Sequence, residues 1–91
     1  MSVGLDSSVF GQPILLSATG NVIATVNGVI LGFYVASTAA GTLVLRQGGA
    51  GGAVISGTIT PVVGWHNFPG SFVNGLHATI GGALGVTFFI G

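Results

Sequence analysis

The sequence has almost no charge and no cysteine. Asp6 and Arg46 are the two charged side chains among 91 residues, and the formal net charge is zero. A small protein that stays monomeric in water normally carries about a quarter of its residues as charged ones. Without cysteine, neither a disulfide nor a thiolate metal site can form. A single basic residue provides no positive patch to neutralise phosphates, so nucleic acid is not expected as a partner.

The remaining composition, 49% hydrophobic with 18 glycines, fits either a membrane protein or a protein covered by other subunits. Residues 22–45 carry no charge and are long enough to span a bilayer as a helix. However, the segment is rich in Val, Ile, Thr and Gly, which favour strands and turns over a helix. The sequence therefore favours an assembly, and a small membrane-active protein is the less favoured alternative.

Apolar and polar side chains alternate with period two along most of the chain, which indicates half-buried strands. Asn27-Gly28 predicts a hairpin turn, and Gly81-Gly82 a further turn. We expect an all-β fold, a small β-sandwich or jelly-roll-like barrel of seven to eight short antiparallel strands in residues 12–91, after an N-terminal arm in residues 1–11. The predicted strands are residues 14–18, 22–26, 29–37, 42–46, 54–60, 76–80 and 83–90.

Catalysis and metal binding have little chemical basis in this sequence. His66 and His77 are the histidines, and Asp6 is the single carboxylate side chain. A metal site needs a third ligand, and paired-carboxylate catalysis needs a second acid. A Ser-His-Asp set can be assembled from these residue types, but no Gly-x-Ser-x-Gly motif accompanies it. We therefore predict no enzyme and no cofactor, and expect the histidines to donate hydrogen bonds within the fold.

Arg46 precedes the glycine-rich segment 48–53, which is predicted to be a mobile loop between two strands. No Lys-Ser or Lys-Thr follows this segment, so it does not match a phosphate-binding loop. Two roles are open for Arg46. It is either a solvated residue at the end of a strand or the cation of an intersubunit ion pair with Asp6 or the Gly91 carboxylate.

The aromatic residues are the predicted contact residues. Trp65 and its neighbours have the amphipathic character of a sugar-binding groove, but no acid is available nearby to hold sugar hydroxyls. Packing within the core or between subunits is the better interpretation. The residues predicted at a subunit interface are Phe33, Tyr34, Arg46, Trp65, Phe68, Phe72 and Phe89.

A family resemblance rests on residues 57–69 and 72–82. The first segment contains a Thr-Pro pair ending at Pro61 and a Phe-Pro step ending at Pro69, and the second contains Phe-x-Asn-Gly-Leu and then Gly-Gly. With residues 32–35 and 42–46 upstream, this pattern resembles small all-β structural proteins of tailed bacteriophages. Where that family often has an acid after the Leu-x-Leu strand, this chain has Arg46 and Gln47, so it departs from the family pattern there.

The resemblance implies a virion component assembled in the host cytoplasm. Such proteins act as capsid cement or decoration proteins, commonly as trimers, or as head–tail neck or tail-associated proteins. It also implies partners: other copies of this chain, with a homotrimer favoured, and the major capsid protein or other virion proteins. A glycan-binding protein of a phage tail is a further alternative.

Overall fold

The fold consists of strands arranged in one antiparallel sheet. The structure, a computed structural model, describes residues 12–91, and no helix occurs in that range. This confirms the prediction of an all-β fold. The predicted N-terminal arm, residues 1–11, lies outside the described residues. The six strands are β1 (Gln12–Leu16), β2 (Gly20–Ala24), β3 (Gly28–Gln47), β4 (Ala53–Val54), β5 (Gly64–Phe72) and β6 (Gly75–Ile90).

The strands are fewer and longer than predicted. Two predicted strands merge into β3, and two others merge into β6, because the residues between them form a β-bulge instead of a turn. At this bulge Ala39 and Ala40 both lie opposite Ala83. Ala40 and Gly82 have positive φ angles of 55° and 70°. A bulge accommodates such residues while the ladder continues on both sides.

The predicted strand over residues 54–60 is mostly irregular. Only Ala53–Val54 forms a strand there, and Leu43 and Ile59 form an isolated bridge. Conversely, β5 forms in a segment for which the sequence predicted no strand.

The predicted hairpin at Asn27-Gly28 is wrong. Strand β2 pairs with β6, whereas β3 pairs with β4, β5 and β6, so β2 and β3 are not neighbours. The Asn27 side-chain oxygen instead accepts a hydrogen bond from the Asn74 backbone N–H at 2.9 Å. Pairing with β6 buries the apolar face of β3, and this long-range gain outweighs the local turn preference.

The sheet has two halves that share the long strands β3 and β6. In the first half the strand order is β1, the C-terminal part of β6, the N-terminal part of β3, and β5. In the second half the strand order is β2, the N-terminal part of β6, the C-terminal part of β3, and β4. The bulge separates the two halves.

Strand β3 curls strongly. A straight strand of 20 residues would be about 66 Å long, but the longest dimension of the protein is 39 Å. Its two ends meet at the turn between β5 and β6. There the Gly75 N–H donates to the Val26 carbonyl at 2.7 Å, and the Val73 N–H donates to Gln47 Oε1 at 3.1 Å. The two halves therefore enclose one core.

The core takes side chains from both halves in a single cluster. Its fully buried members include Phe33 and Phe88 from the first half and Leu43 and Leu76 from the second. Successive residues of a strand point to opposite faces, so every inward position leaves an outward neighbour on the same strand. In the first half, those outward neighbours form the surface described below.

Replacement of Gly82 by Ala should destabilise the protein by about 1–3 kcal/mol. Gly82 has a φ of 70°, and a Cβ there would lie 2.9 Å from the Ala40 carbonyl oxygen. A left-handed non-glycine residue costs about 1–2 kcal/mol, and the contact adds to that. The matched control is Gly57→Ala, because a Cβ at Gly57 meets nothing within 4 Å. Denaturant unfolding checks both variants, and equal midpoints for the two would refute the role of the bulge.

Candidate functional site: an uncharged aromatic sheet face

The outer surface of the first half is the most distinctive surface of the described residues. We call it the aromatic face and define it by Leu15, Gly32, Tyr34, Trp65, Thr87 and Phe89. Strand register places four of these side chains in one row across the sheet. Leu15 lies opposite Thr87, Thr87 opposite Tyr34, and Tyr34 opposite Trp65. The row therefore crosses β1, β6, β3 and β5 in that order.

The indole of Trp65 packs directly on the backbone at Gly32, because glycine has no side chain to block it. A Cβ at Gly32 would lie 2.6 Å from Cζ2 of the indole and 2.6 Å from the His66 carbonyl oxygen. The Phe89 ring meets the indole edge-on, with ring centroids 5.4 Å apart. Such edge-to-face pairs contribute about 0.5–1.5 kcal/mol beyond their buried area. Trp65 is thus held in place while 51% of its surface is exposed.

The aromatic face is exposed and carries no charge. Leu15 is 68% exposed and Tyr34 44% exposed. The charged side chain of residues 12–91 is Arg46, which lies in the second half of β3. Single exposed apolar residues are normal on a protein surface. Here Leu15, Tyr34 and Trp65 are exposed in one row across the sheet, with the half-buried Thr87 between Leu15 and Tyr34.

The structure separates the predicted interface residues into three groups. Tyr34, Trp65 and Phe89 share the aromatic face. Phe33 and Phe72 are 2% exposed and belong to the core, so they offer almost no area to a partner. They differ from the prediction because each occupies an inward position of its strand, which a count of aromatic residues does not reveal.

Phe68 and Arg46 lie elsewhere. Phe68 packs partly buried against the core, with its ring 6.3 Å from that of Phe33. Arg46 is half-buried, and its Nη1 donates to the Gly52 carbonyl at 3.3 Å across the glycine-rich loop. The intersubunit ion pair of Arg46 with Asp6 or the Gly91 carboxylate stays a prediction, because the structure holds one copy of the chain and Asp6 lies outside the described residues.

Leu15, Gly32 and Thr87 complete the aromatic face and were missed by the sequence interpretation. The alternation of β1 and β6 could have indicated that Leu15 and Thr87 point away from the core. Their proximity to Trp65, however, depends on the order and register of four strands, which the sequence does not supply.

The two histidines make different contacts. His66 stacks on Phe33, with centroids 5.1 Å apart, and its Nε2 lies 2.7 Å from the Val62 carbonyl oxygen. His77 is 5% exposed, and its Nδ1 lies 3.0 Å from Asn21 Oδ1. The His77 Nε2 is buried and has no hydrogen-bond partner among residues 12–91.

A small pocket of about 230 Å³ lies where the two ends of β3 meet. Its lining includes Asn21, Thr25 and Asn74, of which the last two have φ angles near 60°. The lining has amide and hydroxyl groups but no ionisable side chain. Within residues 12–91, no group of three or more potential metal ligands is found. The pocket therefore has neither an acid–base pair nor a metal-binding set among these residues.

Comparison of the chain with protein-family models, with curated proteins and with solved structures found no match. Residues 12–91 also contain no helix that is long and apolar enough to cross a membrane. The geometry and the sequence therefore carry the functional inference on their own.

Replacement of Gly32 by Ala should expose Trp65 further and destabilise the fold by about 1–3 kcal/mol, because the new Cβ would overlap the indole and a backbone oxygen. Trp65 is the single tryptophan, so fluorescence reports on it alone, and we expect its emission to shift to the red. The control is Gly70→Ala in β5, where the nearest atom would be 4.0 Å away. An unchanged spectrum in the Gly32 variant would contradict this seating of the indole.

Replacement of Asn21 by Ala should cost about 1–3 kcal/mol, because it removes the Nδ1 partner of a buried imidazole that already has one unpartnered nitrogen. The exposed Asn67→Ala variant should stay within about 0.5 kcal/mol of the parent. In the double variant Asn21→Ala/His77→Leu the loss should be smaller than the sum of the two single losses. Additive losses in thermal unfolding would show that this pair is not coupled.

Proposed function

We propose that this chain is a non-enzymatic structural protein that self-associates and stabilises a phage capsid as a cement or decoration protein. The observation that carries the proposal is the aromatic face: an exposed, uncharged, apolar surface on a chain with one charged side chain in residues 12–91. The phage assignment itself is supported by the resemblance of residues 57–69 and 72–82 to small phage structural proteins.

The energetic argument for assembly rests on the aromatic face. Each Å² of apolar surface removed from water contributes about 25 cal/mol before the costs of association are subtracted. The chain has almost no like charges to keep copies apart, and burial between subunits removes the need for charge as a solubilising group. A single ion pair of Arg46 would add little by comparison.

Strand edges offer a second means of contact. β1 and β2 form one edge of the sheet, and β4 and β5 form the other. Charged side chains on edge strands commonly block edge-to-edge pairing. Residues 12–24 and 64–72 carry no charged side chain. In the proposal, these edges and the N-terminal segment 1–11 clamp neighbouring capsid subunits, and the assembled protein is a component of the virion.

The finer architecture is part of the proposal. Two halves that enclose one core across a bent sheet support a small β-sandwich or jelly-roll-like barrel. The absence of enzymatic function is also proposed. It is supported by the structural contact that His66 makes with Phe33 and by the burial of His77 against Asn21.

A head–tail neck or tail-associated protein, structural or glycan-binding, is the second candidate. The observation that favours it is the seating of Trp65 on Gly32, because a fixed and half-exposed indole is suited to stacking against a sugar ring. Quenching or enhancement of Trp65 fluorescence by a panel of neutral sugars would favour this candidate over capsid cement.

The capsid proposal predicts that the protein stays bound to phage particles purified through a density gradient and that Leu15→Glu lowers this retention at least about tenfold. Full burial of a leucine contributes about 1.5–3 kcal/mol, and each 1.4 kcal/mol is a factor of ten. The control is Val73→Glu, at a residue that is 53% exposed and outside the aromatic face. Equal retention of the two folded variants, or no retention of the parent protein, would contradict the proposal.

A further inference from the structure

The aromatic face restricts the kind of surface that can cover it. It is one side of the four-stranded first half of the sheet and has no charged residue, so charge complementarity cannot select its partner. A second sheet face with apolar side chains would pack on it at about 10 Å, as the two sheets of a sandwich do. An uncharged sheet face with apolar side chains therefore fits the aromatic face.

The chain itself has one such surface. Among the described residues, Tyr34 and Trp65 are the strongly exposed aromatic side chains, and both lie on the aromatic face. Most other exposed apolar residues, such as Val26, Val62 and Val73, lie in the segments that connect strands. Val29 and Val54 are exposed within strands, but each lies at a strand end and apart from an exposed aromatic side chain. The aromatic face of a second copy of this chain is thus a suitable complement to the aromatic face of the first.

We propose that the aromatic face packs against the aromatic face of a second copy, related by a two-fold axis. Contact between identical patches is isologous, and a two-fold axis generates it. Tyr34 and Thr87 occupy the middle of the row, with Leu15 at one end and Trp65 at the other. The axis therefore passes close to Tyr34, and the two copies of Tyr34 lie near each other.

The size of the aromatic face sets the expected strength of the pair. Four strands give a width of about 19 Å, and strand lengths of five to nine residues, as in β1 and β5, give about 16–30 Å along the strands. The resulting area, about 300–600 Å², lies at or below the roughly 600–800 Å² that each partner contributes to a specific dimer. We expect dissociation in the micromolar range, so that dilution separates the copies.

This inference rests on the proposed function, because it specifies how the proposed self-association occurs. It also differs from the homotrimer that the phage resemblance implies. A two-fold contact produces pairs, whereas a trimer requires two different patches that meet head to tail. The number of copies therefore distinguishes the inference from the proposed function.

The first test is sedimentation equilibrium of the unaltered protein from low to high micromolar concentration. A monomer–dimer equilibrium supports the inference. A trimer keeps the proposed self-association and overturns the two-fold contact. A monomer throughout overturns both the inference and self-association, while retention on particles still reports separately on capsid binding.

The second test exchanges charges at the proposed axis. Tyr34→Glu alone and Tyr34→Lys alone should each raise the dimer dissociation constant about 100-fold, because two like charges meet across the axis. An equimolar mixture of the two variants should recover the dimer, since each pair then holds one negative and one positive charge. Val73→Glu, the control outside the aromatic face, should dimerise like the parent protein.

The outcomes of the exchange are decisive when circular dichroism shows that the variants keep their strand content. Recovery of the dimer in the mixture supports the two-fold contact. Loss of the dimer in each variant without recovery in the mixture shows that the two copies of Tyr34 are apart and overturns it. Unchanged dimerisation of both variants places the contact elsewhere and also overturns it. If the variants do not fold, the stoichiometry of the unaltered protein decides.

Discussion

The antiparallel pairing of β3 with β6 is the interaction on which the rest of the structure depends. These two strands run through both halves of the sheet, and every other strand attaches to one of them. The bulge at Ala40 and Ala83 lets the pair bend without breaking the ladder. Bending brings the inward side chains of both halves into one core. It also turns the opposite face of the first half outward as a surface without a cover.

The lack of charge is most evident at the outward positions of the first half of the sheet. In most small proteins the outward positions of a half-buried sheet hold polar or charged residues. Here the outward row holds Leu15, Thr87, Tyr34 and Trp65, and Gly32 gives the indole room to rest on the backbone. Covering such a surface with another protein surface lowers the free energy, because apolar area is removed from water. This composition is the basis of the proposed assembly.

The sequence was sufficient for the fold class but not for the topology. Period-two alternation in residues 42–46 and 83–90 correctly predicted strands there. Glycine and asparagine tolerate the backbone angles of turns and of bulges alike, so the Gly81-Gly82 pair alone does not distinguish a turn from the bulge that forms there. Phe33 and Tyr34 are adjacent and both aromatic, yet one is buried and the other exposed. Register alone separates them, and register depends on distant strands.

The central claim is that another copy covers the aromatic face. Its most direct test is to measure how accessible Trp65 is to a neutral quencher as the protein concentration is raised. The indole is half-exposed in the isolated chain, so acrylamide should quench it efficiently in dilute solution. As the concentration rises through the micromolar range, covering of the aromatic face predicts a fall in the quenching constant and a shift of the emission to the blue. A quenching constant that stays high and unchanged while the protein associates would contradict the account.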